Sequence, residues 1–301
     1  MKNIFRIIRL SRPLHGLMAL ISFIVVLSAA FEVVAPLLSG KILDEVIQQA
    51  GNSNKEYDTL FRLLAISLAT TIGYLITRSI GQRLGDHLAG KMRKYLTETF
   101  YDKALSLPQS YYDSEVSGKI VNQLNRGIVS IQDFTNTATN FIVPMILQGV
   151  IVIGALGYFN IWLAVLMVII FPIYFMISSY STKRWGIKEE VKNQIEDRTR
   201  GRIQEVISNM KLVKGFTNET KEYDLVSDNL DEVNEIYRTQ SNEFHLYDFG
   251  REFILYLILF STSLIIFYNA FIEAITVGTV IILIQLVERA RQPLFGMSFI
   301  L

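Results

Sequence analysis

The sequence predicts an all-α membrane protein with six transmembrane helices and long helical extensions beyond the bilayer. Three observations predict it. Half of the 301 residues are hydrophobic and 19% are charged, and the mean hydropathy is +0.32, a balance foreign to a soluble domain of this length. Apolar runs long enough to cross hydrocarbon recur along the chain. Between them, apolar residues repeat every three or four positions through polar stretches far too long to be simple loops.

The spans are expected at 14–38, 60–80, 141–159, 161–180, 253–272 and 277–301, with long inner loops at 81–134 and 181–252. Residues 1–13 carry Lys2, Arg6, Arg9 and Arg12 and no acid. The run from Leu14 to Leu38 is too long for the apolar region of a signal peptide, so it reads as a first span starting from the cytoplasm. Asp44, Glu45, Glu56 and Asp58 outnumber Lys41 and Lys55 in the next segment, which suits the outer side. Glu32 and Arg62 lie near that side and are expected to pair there, whereas Arg78 at the inner boundary snorkels. Past the second span, Leu84, Leu88, Met92, Leu96, Phe100 and Ala104 repeat every four residues, which predicts a rod continuing to Pro108. Arg83, Lys91, Arg93 and Lys94 place that rod in the cytoplasm. Spans three and four are separated by little more than Asn160, which forces an antiparallel pair turning at the outer surface. Lys183, Arg184, Lys188 and Lys192 follow on the inside. Most of the aromatics around this pair, Phe141, Tyr158, Phe159, Trp162 and Tyr174, read as interfacial anchors.

The stretch from Glu196 to Val226 holds the most specific wording. Ile203, Val206, Ile207, Met210, Val213 and Phe216 form one apolar stripe, opposite Arg198, Arg200, Glu205, Lys211 and Lys214. That pattern predicts a continuous helix from Tyr180 to Phe216 with one buried face in water. A polar break at Gly215–Thr220 follows, and a second stripe begins (Val226, Leu230, Val233, Tyr237, Phe244, Tyr247). Within this hairpin the run from Gly201 to Glu222 resembles the second cytoplasmic loop of ATP-binding cassette exporters through Glu205, Met210, Lys211, Val213, Lys214, Phe216 and Glu219, with Asn209 where that family usually has Gly. Gln109 to Phe134 resembles the family's first cytoplasmic loop through Tyr111, Tyr112, Asp113, Gly118, Leu124, Ile131, Asp133 and Phe134. Gly127 stands there in place of a common Asp. Val277-Gly278 and Arg291-Gln292-Pro293-Leu294 are similar to the start of the family's sixth helix.

The resemblance covers essentially the whole chain and implies the transmembrane domain of a bacterial half-transporter in the plasma (inner) membrane, with a cytoplasmic N-terminus. It implies a homodimer or heterodimer with a second half-transporter. It also implies nucleotide-binding domains after residue 301, where ATP and magnesium would bind. Tyr111, Tyr112, Asp113, Gly118, Phe216, Glu219 and Lys221 would couple to those domains. The expected activity is outward movement of a lipid, drug-like or other amphipathic substrate by alternating access. The alternatives from other classes are an ATP-independent membrane scaffold or channel-like remnant of the same fold, and a secondary transporter, for which inverted repeats are missing.

The chemistry of the chain is otherwise spare. There are no cysteines and three widely spaced histidines, His15, His87 and His245, so no catalytic or metal site is expected. The phosphate-cradling pattern is missing, since Gly118-Lys119 continues with Ile120, so no ATP hydrolysis is expected of these residues and any such activity belongs to the full-length protein. A formal charge of +1 argues against nucleic acid as a partner and leaves the lipid bilayer. Gln285, Glu288, Arg289 and Gln292 fall near one face of the sixth span. At about 1.5 Å per residue from Val277, Glu288 sits near mid-membrane. These four are candidates for the substrate pathway, because an ionisable group facing hydrocarbon costs roughly 2.5–3.5 kcal/mol on insertion scales. The competing reading is an internal ion pair of Glu288 with Arg289 or Arg291.

Overall fold

The computed structural model describes residues 11–50, 57–108 and 117–300, with side chains described for all of these except 117–124 and 295–300. Among the described residues there are helices and turns and no strand. A 3₁₀ turn at Arg12–Leu14, seeded by Pro13, leads into α1 (His15–Ala50). There follow α2 (Asp58–Leu105), α3 (Ser117–Thr137), a π-helical turn (Ala138–Ile142) and α4 (Val143–Phe159). The remaining helices are α5 (Ile161–Ser208), α6 (Met210–Gly215), α7 (Glu219–Phe271) and α8 (Val277–Ile300).

Five helical stretches, Arg12–Ala50, Asp58–Leu105, Asn125–Phe159, Ile161–Ser208 and Glu219–Phe271, are long and apolar enough to cross a membrane. Their outward side chains include Phe23, Phe61, Leu68, Val150 and Phe260, all exposed. Apolar surface on this scale calls for hydrocarbon as the solvent. α8 is not among the five. Its described side chains include Glu288, Arg289 and Arg291, which dilute an otherwise apolar run.

The chain divides by its own contacts into two compact units, Met1–Met167 with Thr262–Gly296, and Val168–Ser261 with Met297–Leu301. In the first unit α1 packs along α2 and α4, and α2 along α3. Ile21, Val25 and Leu88 form one buried cluster with Leu17, Leu84 and Leu147 against it. Met92, Leu96 and Ile128 form a second, flanked by Leu14 and Ile131. The four-residue stripe is therefore the seam of α2 from Leu84 to Leu96, with Leu88, Met92 and Leu96 buried, whereas Phe100 further along is exposed. α2 stops at Leu105, short of Pro108, in agreement with the restriction a proline puts on the residues before it. Asp86 on α2 accepts hydrogen bonds from Asn136 Nδ2 at 2.8 Å and Asn140 Nδ2 at 3.0 Å. These bonds straddle the start of the π-helical turn, where a wider backbone ring interrupts the regular ladder.

Asn160 makes the turn between α4 and α5 alone. Its backbone is extended (φ −157°, ψ 117°), and its Oδ1 accepts the Trp162 N–H at 2.9 Å, which caps α5.

In the second unit α5 and α7 form an antiparallel pair. Trp185 meets Tyr237 and Phe244 edge-on, and Tyr180 meets Tyr247. Gln240 Nε2 donates to Trp185 O (3.1 Å) and Glu189 Oε2 (2.9 Å). Arg251 is buried between the rings of Tyr174 and Phe244 and donates to Ser178 Oγ at 2.9 Å and to Asp248. Tyr174 is thus a buried platform for a guanidinium and not an interfacial anchor.

The hairpin tip departs from the expected continuous helix. α5 ends at Ser208, and Asn209 takes φ −111°, ψ 28°, its Nδ2 turned back to Glu205 O at 3.0 Å. The Asn209 N–H donates to the same carbonyl at 3.0 Å, so the helix breaks at the backbone angles of Asn209 itself, just after its last regular bond. A separate six-residue helix, α6, follows. It closes with the Asn218 N–H on Val213 O at 3.0 Å and Thr217 at φ 49°. A β-branched residue is rarely found in that left-handed region.

Candidate functional site

Two regions carry the residues singled out by the sequence. The first lies on α8, in the first unit. Helix geometry places Gln285, Glu288, Arg289 and Gln292 within one arc, but neighbouring α1 divides them. Ser39 Oγ lies 3.1 Å from Gln285 Oε1. Arg289 Nη1 lies 2.9 Å from Glu32 Oε1, and Gln148 Nε2 of α4 donates to the same oxygen at 2.8 Å. Their side chains are only 25% (Arg289) and 19% (Glu32) exposed. Gln285 and Arg289 therefore face inward, against α1. Glu288 and Gln292 lie on the open face with Ile284, and Glu288, 54% exposed, pairs with Arg291. Ile282, Leu286 and Leu294 are buried, as the apolar side of α8 requires.

The expected pairing of Glu32 with Arg62 does not form. Arg62 binds Asp58 at 2.6 Å on the surface of its own helix, one turn away. Glu32 turns to Arg289 because two charges inside an apolar layer stabilise each other where water cannot. Arg78 lies against the Tyr74 ring with Nη1 3.3 Å from its hydroxyl. Sequence reasoning did not connect Glu32, Ser39 and Gln148 with α8. The only available signal was their polarity within apolar runs.

The end of α1 beyond Ser39 also meets the start of α8. Asp44 accepts the Gly278 N–H at 2.7 Å and the Thr276 hydroxyl at 2.7 Å. Thr276 Oγ1 in turn accepts the Thr279 N–H at 3.1 Å. A carboxylate and a hydroxyl thus cap one helix N-terminus together. Gly40 and Gly278 sit backbone to backbone. A Cβ on Gly278 would run into Gly40 O and Asp44, and one on Gly40 into Ile282 and Gly278 O.

The second region is the hairpin tip, in the second unit. Arg202 forks onto Glu222 across the hairpin, with Nε to Oε2 at 2.7 Å and a second bond from Nη2 to Oε1. Its Nη1 reaches Glu205 Oε2 at 3.0 Å. The guanidinium's hydrogen bonds hold the Glu222 carboxyl below its ordinary value of 4.5. Beyond this clasp, Ile203, Val206, Met210, Val213, Tyr223 and Val226 line an apolar cleft of about 220 Å³. The stripe expected to be buried is here substantially open: Ile207 and Phe216 are 64% and 77% exposed. Among the described residues of this unit, α5, α6 and α7 leave that part of the stripe uncovered. Glu219 and Lys221 are exposed in the first turn of α7. Gly118 lies in the first turn of α3. Tyr111, Tyr112 and Asp113 lie outside the described residues. Among the described residues no group of His, Asp and Glu side chains is arranged to hold a metal ion.

Residues 18–294 match the family model of the ABC transporter transmembrane region. The chain belongs to that family. It is an ABC transporter transmembrane region, all-α and multi-pass. Among its relatives, an ATP-dependent lipid A-core flippase of Thiobacillus denitrificans is 25% identical over 222 residues, covering 72% of this chain and 37% of that protein. The putative multidrug export ATP-binding/permease protein YgaD of Bacillus subtilis is 23% identical over 191 residues, 62% of this chain and 32% of that protein. An ABC-type oligopeptide transporter of Homo sapiens, ABCB9, is 20% identical over 246 residues, 81% and 31%. The chain spans about a third of the length of these curated relatives.

Proposed function

We propose that this transmembrane region is the membrane-spanning half of an ATP-driven exporter that moves an amphipathic substrate outward by alternating access. It would pair with a second half-transporter, identical or different, in the plasma membrane, with its N-terminus and both hairpin ends in the cytoplasm. α8 supplies the sixth span, its charges covered by α1 and by the pathway. ATP and magnesium belong to nucleotide-binding domains that dock on the loop tips.

The observation that carries this reading is the tip itself. A short helix, Met210–Gly215, is set off from α5 at Asn209 and followed by the 77% exposed Phe216 beside an apolar cleft. An apolar anchor displayed at the end of a small, separate helix is the form of a docking element and not of a core. Glu219 and Lys221 add charged contacts at its rim. The substrate pathway runs along the Glu288 and Gln292 face of α8, where a half-exposed ion pair at membrane depth needs water or a polar ligand beside it.

The test is Phe216→Ala in the full-length transporter reconstituted in vesicles. Transport per ATP hydrolysed should fall while expression and membrane insertion stay normal. Normal coupling in that variant, or full transport without nucleotide, would overturn the reading.

A further inference from the structure

α3, the π-helical turn and α4 follow one another without a break, yet the two helices pack on different neighbours. α3 lies along α2, where Ile128 is buried with Met92 and Leu96. α4 lies along α1, where Gln148 donates to Glu32 at 2.8 Å. A regular helix turns one stripe toward one neighbour. The π-helical turn takes up one residue more than a regular turn, with the Val143 N–H donating to Ala138 O five residues back. It shifts the phase of α4 against α3 by about 100°, one residue's share of a regular turn. The change of neighbour falls at this turn.

The turn is held from α2. Asp86 Oδ1 accepts Asn136 Nδ2 at 2.8 Å, just before the turn, and Asn140 Nδ2 at 3.0 Å, inside it. Asn140 Nδ2 also reaches Asn136 Oδ1 at 3.3 Å. Asn140 Oδ1, by contrast, is buried with no hydrogen-bond partner among the described residues. An enclosed acceptor without a donor is costly. Turned over, the amide would set that oxygen against the carboxylate, so the bond to Asp86 decides its orientation. Gly85 leaves the room this needs: a Cβ there would stand 2.5 Å from Asn140 Oδ1 and 2.9 Å from Thr139 Oγ1. Asp86 is exposed and forms no ion pair among the described residues. Water can therefore stand in for the amides while the clasp opens and recloses.

The 21 residues of α3 run about 30 Å from the turn toward the loop that carries Tyr111, Tyr112 and Asp113. A change of direction of about 10° at the turn therefore moves the far end of α3 by about 5 Å. We propose that the π-helical turn is a joint that sets the direction of α3, and that Asp86 is the positioning residue that holds it, acting through Asn136 and Asn140 to fix where the first cytoplasmic loop meets its nucleotide-binding domain. The proposal rests on the exporter reading.

Spin labels on introduced cysteines report the direction of α3, because the chain has no cysteine of its own. One label goes on Gln82 of α2 and the other on Asn125 of α3, both exposed. The full-length transporter in lipid nanodiscs is compared with Asp86→Ala, Asp86→Asn and Gly85→Ala, for label distances, melting temperature, ATP hydrolysis and transport per ATP hydrolysed. Asp86→Ala should raise the population at displaced distances about tenfold, the low end for one lost hydrogen bond to a charged group. Transport per ATP hydrolysed should fall with it, while the rate of hydrolysis and its KM for ATP hold. Gly85→Ala should do the same by pushing Asn140 away without touching the carboxylate, and it decides the matter if Asp86→Ala does not fold. Asp86→Asn keeps an oxygen for both amides and should restore the parent's distances and coupling. Parent-like distances and coupling in Asp86→Ala and Gly85→Ala would overturn the joint and leave the exporter reading standing. A lower melting temperature with slower hydrolysis, at unchanged transport per ATP, would reduce Asp86 to a structural residue and overturn its positioning role. Failure of Asp86→Asn to restore the distances would overturn the hydrogen-bonded clasp. Full transport without nucleotide would overturn the exporter reading, whereas the distances test the joint by themselves.

Discussion

Replacing Glu32 by Gln removes one charge of an intramembrane pair and leaves the other in place. Arg289 keeps a hydrogen-bond acceptor in the new amide but loses its counter-ion at a site where its side chain is 25% exposed. Breaking a buried pair by removing one partner costs about 3–5 kcal/mol. Partial exposure puts this site near the lower limit, about 3 kcal/mol, which corresponds to a fall in melting temperature of about 6 °C for a chain of this size. Arg289→Gln should cost a similar amount. The double replacement Glu32→Gln with Arg289→Gln should recover most of the loss, because an amide pair can hydrogen-bond without either side burying a lone charge. Gln148, which donates to Glu32 at 2.8 Å, retains an acceptor in every variant that keeps an oxygen at position 32. The assay is thermal unfolding of detergent-solubilised protein followed by size-exclusion chromatography, on the parent, both single variants and the double. A shift of about 1 °C or less for Glu32→Gln, or a double variant as unstable as the two singles summed, would refute the argument that burial makes this pair interdependent.

Glu288→Gln should behave differently, because its pair with Arg291 is half exposed and of the one-turn surface type. The stability change should stay under about 1 kcal/mol, while substrate-stimulated ATPase of the full-length dimer falls for cationic substrates. A melting-temperature loss as large as that of Glu32→Gln would remove Glu288 from the pathway. The carboxyls of Glu222, Glu243 and Glu189 are held low by hydrogen bonds from Arg202, from Lys188, and from Lys192 with Gln240, respectively. A carboxyl depressed in the folded state lends stability above its ordinary value of 4.5 and withdraws it as pH falls through the folded value. Proteolytic resistance of the hairpin should thus be flat from about pH 8 to 6 and decline only below about 4.5; a transition between pH 6 and 8 would contradict this. Finally, a single cysteine at Asn52 should react with an impermeant reagent in intact cells, and one at Asn3 or Gln123 only after the cells are opened. The reverse pattern would invert the proposed orientation.

The sequence by itself determined the helices, because that information is local. A period of 3.6 residues, the seam Leu88–Met92–Leu96, the one-residue turn at Asn160 and the second stripe through Tyr237, Phe244 and Tyr247 all follow from spacing, and the structure contains each of them. The tip motif was legible as wording, but its shape was not. The apolar stripe runs on through Asn209, so periodicity alone reads one helix where a backbone turn at Asn209 makes two. Nor does amphipathicity say what covers a face, and the stripe around Ile207 and Phe216 is open in the hairpin. Only the tertiary structure decided the roles on α8. Gln285, Glu288, Arg289 and Gln292 occupy an arc of about 100° at 3.6 residues per turn, which the sequence reads as one face. α1 covers one edge of that arc and leaves the other open. It brings Glu32 and Ser39 to Arg289 and Gln285, and Asp44 to the helix start, from more than two hundred residues away. No periodicity carries that register, because it is set by which small residues, Gly40 and Gly278, let two backbones touch.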